Sequence, residues 1–292
     1  MSERVYQWTA ASIVVIITIL SLVPLWYVIS GSLVNEQEWM EKGGFILWPE
    51  KPTLIAYERL LAGTAFTQAL LVSLIRTVLG TALTLSMTTI FAYAVSRKAM
   101  PWRKALLFAV LVTILFGGGL IPSYIVVRDL HMLNTIWALV IPSMVDSWSV
   151  LVLKQFFENL PEEMEESAKI DGAGEVRLMW AIMIPMAAPA MAAIGLFTAV
   201  GHWNAWFDSL IYIDNAQLHP LQLLIRNMFT NASLSVQQNL GQASYAMNAH
   251  NRVSIETLKM ALVVFGTIPI LCVYPFLQKH FTKGMYLGAV KG

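Results

Sequence analysis

The chain has 292 residues and a net charge of +1, with 57% hydrophobic and only 13% charged residues. Ordinary globular domains hold about 45–50% apolar and about 25% charged residues, so this composition excludes a water-soluble fold and leaves lipid as the solvent. The balanced total gives no sign of a nucleic-acid partner and conceals a strong segregation of charge along the chain.

Six apolar stretches are long enough, at about 20 residues each, to cross a bilayer. The first covers about residues 9–30 and contains Pro24, which a membrane helix tolerates when neighbours re-satisfy the freed backbone. No Ala-x-Ala site with a polar mature start follows it, so a cleavable signal peptide is not expected. The second covers 66–96 and includes Arg76. The third, 105–127, holds Gly117, Gly118, Gly119 and Pro122, which predict a kink or break near one end. The fourth, 135–157, carries Pro142 and Asp146. The fifth covers 186–213 and the sixth 258–277. The single cysteine, Cys272, lies in the sixth and reads as a small core residue.

Lys and Arg are retained on the cytoplasmic side. Between the second and third stretches, residues 97–104 carry four positive charges, Arg97, Lys98, Arg103 and Lys104. Lys279, Lys283 and Lys291 follow the sixth. With six spans these segments share the side of the N-terminus, so both termini are expected in the cytoplasm. The polar segments 31–65 and 214–257 then lie outside.

One segment on the cytoplasmic side breaks the pattern. From Glu158 to Arg177 there are seven acids against two bases. Anionic headgroups would repel it, so it projects into water or meets a basic protein surface. Charge runs are usually solvated loops, but the local pattern here predicts two short helices. Asn159 is placed to cap the first, with Pro161 just inside and Glu162 and Glu163 in the favourable first turn. Met164 and Ala168, four apart, share a face. Gly172 and Gly174 permit a sharp stop. From Glu175 on, Val176, Met179, Trp180, Met183 and Ile184 are spaced to pack against the bundle, and Pro185 and Pro189 introduce the fifth span.

Ionisable or polar residues inside spans are pathway candidates. Arg76 and Asp146 read equally as a structural ion pair between the second and fourth spans or as transport residues. His202, Trp203, Asn204 and Trp206 interleave hydrogen-bonding groups with aromatic faces, which suits a sugar ring; the alternative for the tryptophans is an interfacial belt. Trp148 is a weaker candidate for the same role, and Asp208 is a candidate nearer the external end, with plain surface as the alternative. Tyr93 and Tyr124 read as packing residues. No Gly-x-x-x-x-Gly-Lys-Ser/Thr loop is present, so the chain is expected to bind no ATP by that route. The five histidines are too scattered for a metal site.

Glu166-Ser167-Ala168, Asp171-Gly172-Ala173 and Met183-Ile184-Pro185 resemble the cytoplasmic signature loop of ABC-importer permeases, with Ser167 and Met186 as mild departures. The ending Lys283-Gly284-Met285-Tyr286-Leu287-Gly288 resembles the second permease subunit of maltose-type sugar importers. Residues 117–124, 133–138 and 201–208 are similar to a branch taking up polysaccharides and complex oligosaccharides, including alginate and pectin fragments. The resemblance implies an all-α membrane protein with six transmembrane helices, the type I importer permease fold, and a coupling helix between spans four and five. It also implies a first helix and external segment over 1–65, a permease core over 66–281 with coupling helices at about 160–184, and a tail over 282–292.

By the same resemblance, Glu165, Glu166, Ala168, Asp171, Gly172 and Ala173 dock an ATPase, with Glu166 pairing with an arginine of its groove. Gly288, Val290, Lys291 and Gly292 form a tail that reaches the ATPases. The expected partners are a second homologous permease, two ATP-binding subunits that bind ATP and Mg, an external solute-binding protein and membrane lipid. This chain itself binds no cofactor and is no enzyme. The implied function is ATP-driven import of an oligosaccharide or polysaccharide across a bacterial inner membrane. An ion-coupled secondary transporter, a structural subunit, or a permease of the same family for another solute are the alternatives.

Overall fold

A computed structural model of the chain describes residues 3–230 and 253–289, and the regular elements among them are all helical. α1 (Glu3–Ser32) and α2 (Glu36–Glu41) are followed by α3 (Ile55–Ala62) and α4 (Thr64–Ser96). α4 is an unbroken rod of 33 residues, about 50 Å at 1.5 Å per residue, which exceeds a hydrocarbon core of about 30 Å. Four helices are long and apolar enough to cross a membrane: α1, α4, a helix over Glu175–Asn204 and the Ile255–Val273 part of the last helix. Two bent pairs bring the possible number to six.

The third and fourth predicted spans are not single rods. α5 (Arg103–Leu115) and α6 (Leu120–Asp129) meet at 120°. Thirteen residues of α5 reach only about 20 Å, and the chain then turns on its glycines. Gly119 has φ +85°, the left-handed region that a side chain disfavours, and Pro122 sits in the first turn of α6, where its missing N–H removes no intrahelical bond. In the fourth stretch, 3₁₀ turns at Ile136–Leu139 and Ile141–Ser143 meet α7 (Ser147–Glu158) at a 47° bend. Pro142 lacks the donor for a continuous helix.

α8 (Glu162–Ile170) then leads into α9 (Glu175–Asn204). α9 contains a π turn at Met179–Met183, placed where Pro185 would otherwise collide with the carbonyl one turn back. The fifth predicted span divides, because α9 ends at Asn204 and α10 (Phe207–Tyr212) begins after Ala205 and Trp206. α11 (Leu221–Thr230) and α12 (Ile255–Ala289) complete the described elements.

The chain divides into two compact units, Met1–Thr67 with Leu224–Pro269 and Gln68–Leu223 with Ile270–Gly292. In the first, α1 exposes Ile13 to Val23 almost continuously, a surface that requires lipid rather than water. Its other end is tied to the following segment: Trp26 Nε1 donates to the Leu47 carbonyl at 2.7 Å, and the Tyr27 hydroxyl to that of Gly44 at 2.7 Å. A Cβ on Gly31 would lie 2.1 Å from Met260 Sδ, so glycine permits that close helix crossing. In the second unit Ala92, Val95, Val150, Leu153, Leu178 and Ala187 form a core between α4, α7 and α9. That core is the platform for α8.

Candidate functional site

α8 is braced by its ends and by charge, with little apolar attachment. Asn159 does not cap it. Asn159 instead closes α7, its N–H donating to the Gln155 carbonyl at 3.2 Å, and Pro161 takes the N-cap position without a side-chain hydrogen bond. The far end is a complete Schellman stop: Gly172 N–H donates to the Lys169 carbonyl at 3.0 Å and Ala173 N–H to that of Ala168 at 2.9 Å. Gly172 has φ +76°, which glycine adopts at least cost.

Ala168 is 6% exposed and joins the core, with Ala173 packed against the same cluster. Met164, expected on that face, is 46% exposed, and Ile170 is 86% exposed. One buried methyl contributes only about 1 kcal/mol, so the side-chain tie that holds the helix is chiefly that of Glu165. Glu165 accepts from Lys169 Nζ at 2.7 Å and forms an ion pair with Arg97 at the end of α4. The Arg97 guanidinium lies 4.3 Å from the Tyr93 ring centroid. The Tyr93 hydroxyl donates to Glu175 at 2.8 Å, and Glu175 lies 3.7 Å from Arg97 Nε. Alongside, Glu158 pairs with Arg103 at 2.5 Å and Lys154 at 2.7 Å, while Arg103 Nε donates to the Val95 carbonyl at 2.8 Å.

Burial by itself raises the Glu165 pKa, but the hydrogen bonds from Lys169 and Arg97 and their positive charge outweigh it and hold the carboxyl below its usual range. The Lys169 ammonium is shifted up by its bond to Glu165. Burial opposes the Arg97 charge, and the Glu165 carboxylate overcomes it.

Of the two environments expected for the insert, water or a basic protein surface, three of its acids take the second. Glu158, Glu165 and Glu175 are neutralised within the chain, and the basic surface they meet is the chain's own 97–103 segment. Among the predicted docking residues, Glu165 is turned inward by its ion pairs, Ala168 is buried in the core and Ala173 is half-buried against it. Glu166, Asp171 and Gly172 remain exposed, together with Glu163 and Ile170. An open cleft of about 770 Å³ lies beside the Glu165–Arg97 contact and is lined by Arg97, Lys98, Arg103, Glu158, Glu166 and Lys169 among others. In α9, Leu178, Met179 and Met183 face the core, whereas Val176 and Trp180 are 71% and 56% exposed. The π turn carries an additional residue and so rotates the side chains around it out of the α-helical register used to place them.

Of the two readings of Arg76 and Asp146, the ion pair between them does not form. Arg76, 2% exposed, forms a two-point ion pair with Asp208 and donates to the Ala205 carbonyl and Ser209 Oγ, each at 3.1 Å. It thereby holds the break between α9 and α10, and Asp208 is its partner rather than plain surface. Asp146 caps α7 instead, accepting from the Ser149 N–H at 2.8 Å.

The aromatic group in the fifth span is divided. His202 and Trp203 are buried, with the His202 ring 2.6 Å from where a Cβ on Gly80 would lie and its Nε2 3.5 Å from Thr84 Oγ1. Asn204 is exposed, Trp206 is half-buried against Phe207 in an edge-on contact at 5.6 Å, and Trp148 is 57% exposed. The four therefore do not present one continuous sugar-binding face in this conformation. Gly288 lies in the backbone of α12; Val290, Lys291 and Gly292 lie outside the described residues. Arg97, Tyr93 and Arg103 were not singled out as site residues. The available signal was topological: the basic and acidic segments fall on one side of the same bundle.

A family model described as "Binding-protein-dependent transport system inner membrane component" matches residues 79–286. The polygalacturonan/rhamnogalacturonan transport system permease protein YtcP of Bacillus subtilis is 36% identical over 292 residues, covering 100% of both chains. Protein LplC of the same organism is 39% identical over 274 residues, 94% of this chain and 90% of LplC. A solved bacterial ABC transporter involved in the import of the acidic polysaccharide alginate contains a chain with a TM-score of 0.88 and 27% identity, covering 96% of this chain and 98% of that one.

Proposed function

The chain belongs to the binding-protein-dependent transport-system inner-membrane components, and from that premise we propose that it imports an oligosaccharide or a polysaccharide fragment with energy received at α8. It is a multi-pass permease subunit and not an enzyme; ATP hydrolysis belongs to a separate subunit. Dependence on a binding protein sets the chain apart from an ion-coupled carrier. In this reading a second homologous permease completes the pathway, and two ATP-binding subunits with their Mg lie against α8. An external binding protein delivers the cargo to the segments at 31–65 and 214–257. Both termini are cytoplasmic, and the C-terminal tail reaches the ATPases.

The observation that carries the docking assignment is the exposure of Glu166, and of Asp171 at the C-terminal end, on a short helix whose Glu165 is tied to Arg97 at the end of α4. A helix braced in this way moves as a body when pushed, and the spans then rock between inward- and outward-facing states. The saccharide assignment rests on the substrates named for the relatives, polygalacturonan, rhamnogalacturonan and alginate. Asp146, Trp148 and Asn204 are the exposed members of the candidate pathway set, and Trp206 is half-buried.

The test is uptake by the complete importer in proteoliposomes, offering galacturonate oligomers and neutral oligosaccharides of equal length. ATP-dependent uptake of an oligosaccharide, abolished without the binding protein, is expected. Uptake that survives ATP depletion and collapses with the ion gradient contradicts the mechanism, and uptake confined to non-sugar solutes contradicts the cargo.

A further inference from the structure

Arg97 has a second role that its place in a basic loop conceals. We infer that Arg97 is a positioning residue that locks α8 to α4, so that displacement of the docking helix moves the long second span with it. The inference rests on the docking reading above and adds the route by which the movement leaves α8.

The geometry is specific. α8 has nine residues and lies between turns at Asn159–Pro161 and Asp171–Gly174. Among its described side chains only Ala168 is buried, and a methyl group resists sliding poorly. The directional tie is Glu165, gripped on one oxygen by Lys169 of its own helix and on the other by Arg97. Lys169 fixes the carboxylate on α8, and Arg97 joins it to the end of α4.

Arg97 is itself held by the Tyr93 ring, one turn back on α4, and Tyr93 also bonds the side chain and backbone carbonyl of Glu175 at 2.8 and 3.3 Å. The start of α9 is thereby included in the same body. Tyr93 in turn packs edge-on against Phe157 of α7 at 5.8 Å. One guanidinium therefore joins α4, α8 and α9 on a platform that also contacts α7. Charge-assisted hydrogen bonds are directional as well as strong, which is what transmission of a push requires.

The test uses the assembled importer in nanodiscs with Cys272 replaced by Ser and spin labels at Glu163→Cys on α8 and Ile90→Cys on α4. The unmodified clamp should give one narrow distance that an ATP analogue leaves unchanged, because both helices move together. Arg97→Gln should keep the ATPase subunits on the complex but lose the narrow distance, and the analogue should then shift it. The swap Arg97→Glu with Glu165→Arg should restore the narrow, nucleotide-independent distance, which a purely structural loss would not do. Should Arg97→Gln fail to assemble, Glu165→Gln breaks the same contact from the other side and is read in the same way. A distance as narrow and as unresponsive in Arg97→Gln as in the parent overturns the inference. Failure of the docking reading is separately visible, as ATPases that remain bound when Glu166→Lys is introduced.

Discussion

Arg76 and Asp208, 132 residues apart in the chain, are joined by a two-point ion pair at the break between α9 and α10. The same guanidinium takes up the Ala205 carbonyl, which the interruption of the helix would otherwise leave without a partner. A membrane-buried cation is expensive, and here it closes a gap that two helices share. Removing one partner leaves the other uncompensated, so Asp208→Asn and Arg76→Met should each destabilise the permease by roughly 3 kcal/mol. The double variant Arg76→Met with Asp208→Leu should recover much of that loss. Thermal unfolding of the purified complex checks both, and additive single losses would remove the pair from the account.

Gly80 faces the ring of His202 with no room for a methyl group, since a Cβ would lie 2.6 Å from the ring. Gly80→Ala should cost about 1–3 kcal/mol by overpacking. Gly195→Ala should be milder, because its nearest neighbour is the flexible end of Leu85 at 3.2 Å. Melting temperatures of the two variants give the ranking, and equal losses would show that His202 moves aside freely.

Gly172 ends α8 in a left-handed conformation. Gly172→Ala should cost roughly 1–2 kcal/mol at that turn, and Gly172→Asn less, because asparagine tolerates the conformation. Protease cleavage within 171–174 measures the effect directly: faster for alanine than for asparagine. The reverse order would contradict the turn geometry.

The Glu165 clamp has a defined pH dependence. Its carboxyl titrates below the usual range in the folded chain, so its contribution is complete above the unfolded value near 4 and disappears as the pH falls through the depressed folded value. The spin-label distance between positions 163 and 90 should therefore hold from neutral pH to about 5 and broaden only in stronger acid. Broadening between pH 7 and 6 would assign the clamp to a different group.

Much of the architecture was legible because hydropathy over 20 residues is a local property. α1 and α4 appear where the apolar runs lie, and Gly119 marks the break in the third stretch. Asp146 directly precedes Ser147 and lies three residues before Ser149, an ordinary N-cap pattern that neither the ion-pair nor the transport reading of this charge uses. What the sequence could not give were pairings set by the packed bundle. Nothing near Arg76 identifies Asp208, and nothing near Glu165 identifies Arg97. The insert's acid excess counted residues in one segment only, whereas Arg97 and Arg103, in the preceding loop on the same side, supply the compensation. In α9 the π turn at Met179–Met183 shifts Trp180 from the register that a regular period assigns.

The exposed acids of α8 carry the central claim, and Glu166 tests it most directly because it is exposed and makes no hydrogen bond or ion pair among the described residues. Co-purification of the ATP-binding subunits with the membrane complex should be lost in Glu166→Lys and retained in Glu3→Lys, a charge change of the same size at the start of α1, which belongs to the other unit. ATPase subunits that remain bound to the Glu166→Lys complex, with hydrolysis still coupled to uptake, would contradict docking at this helix.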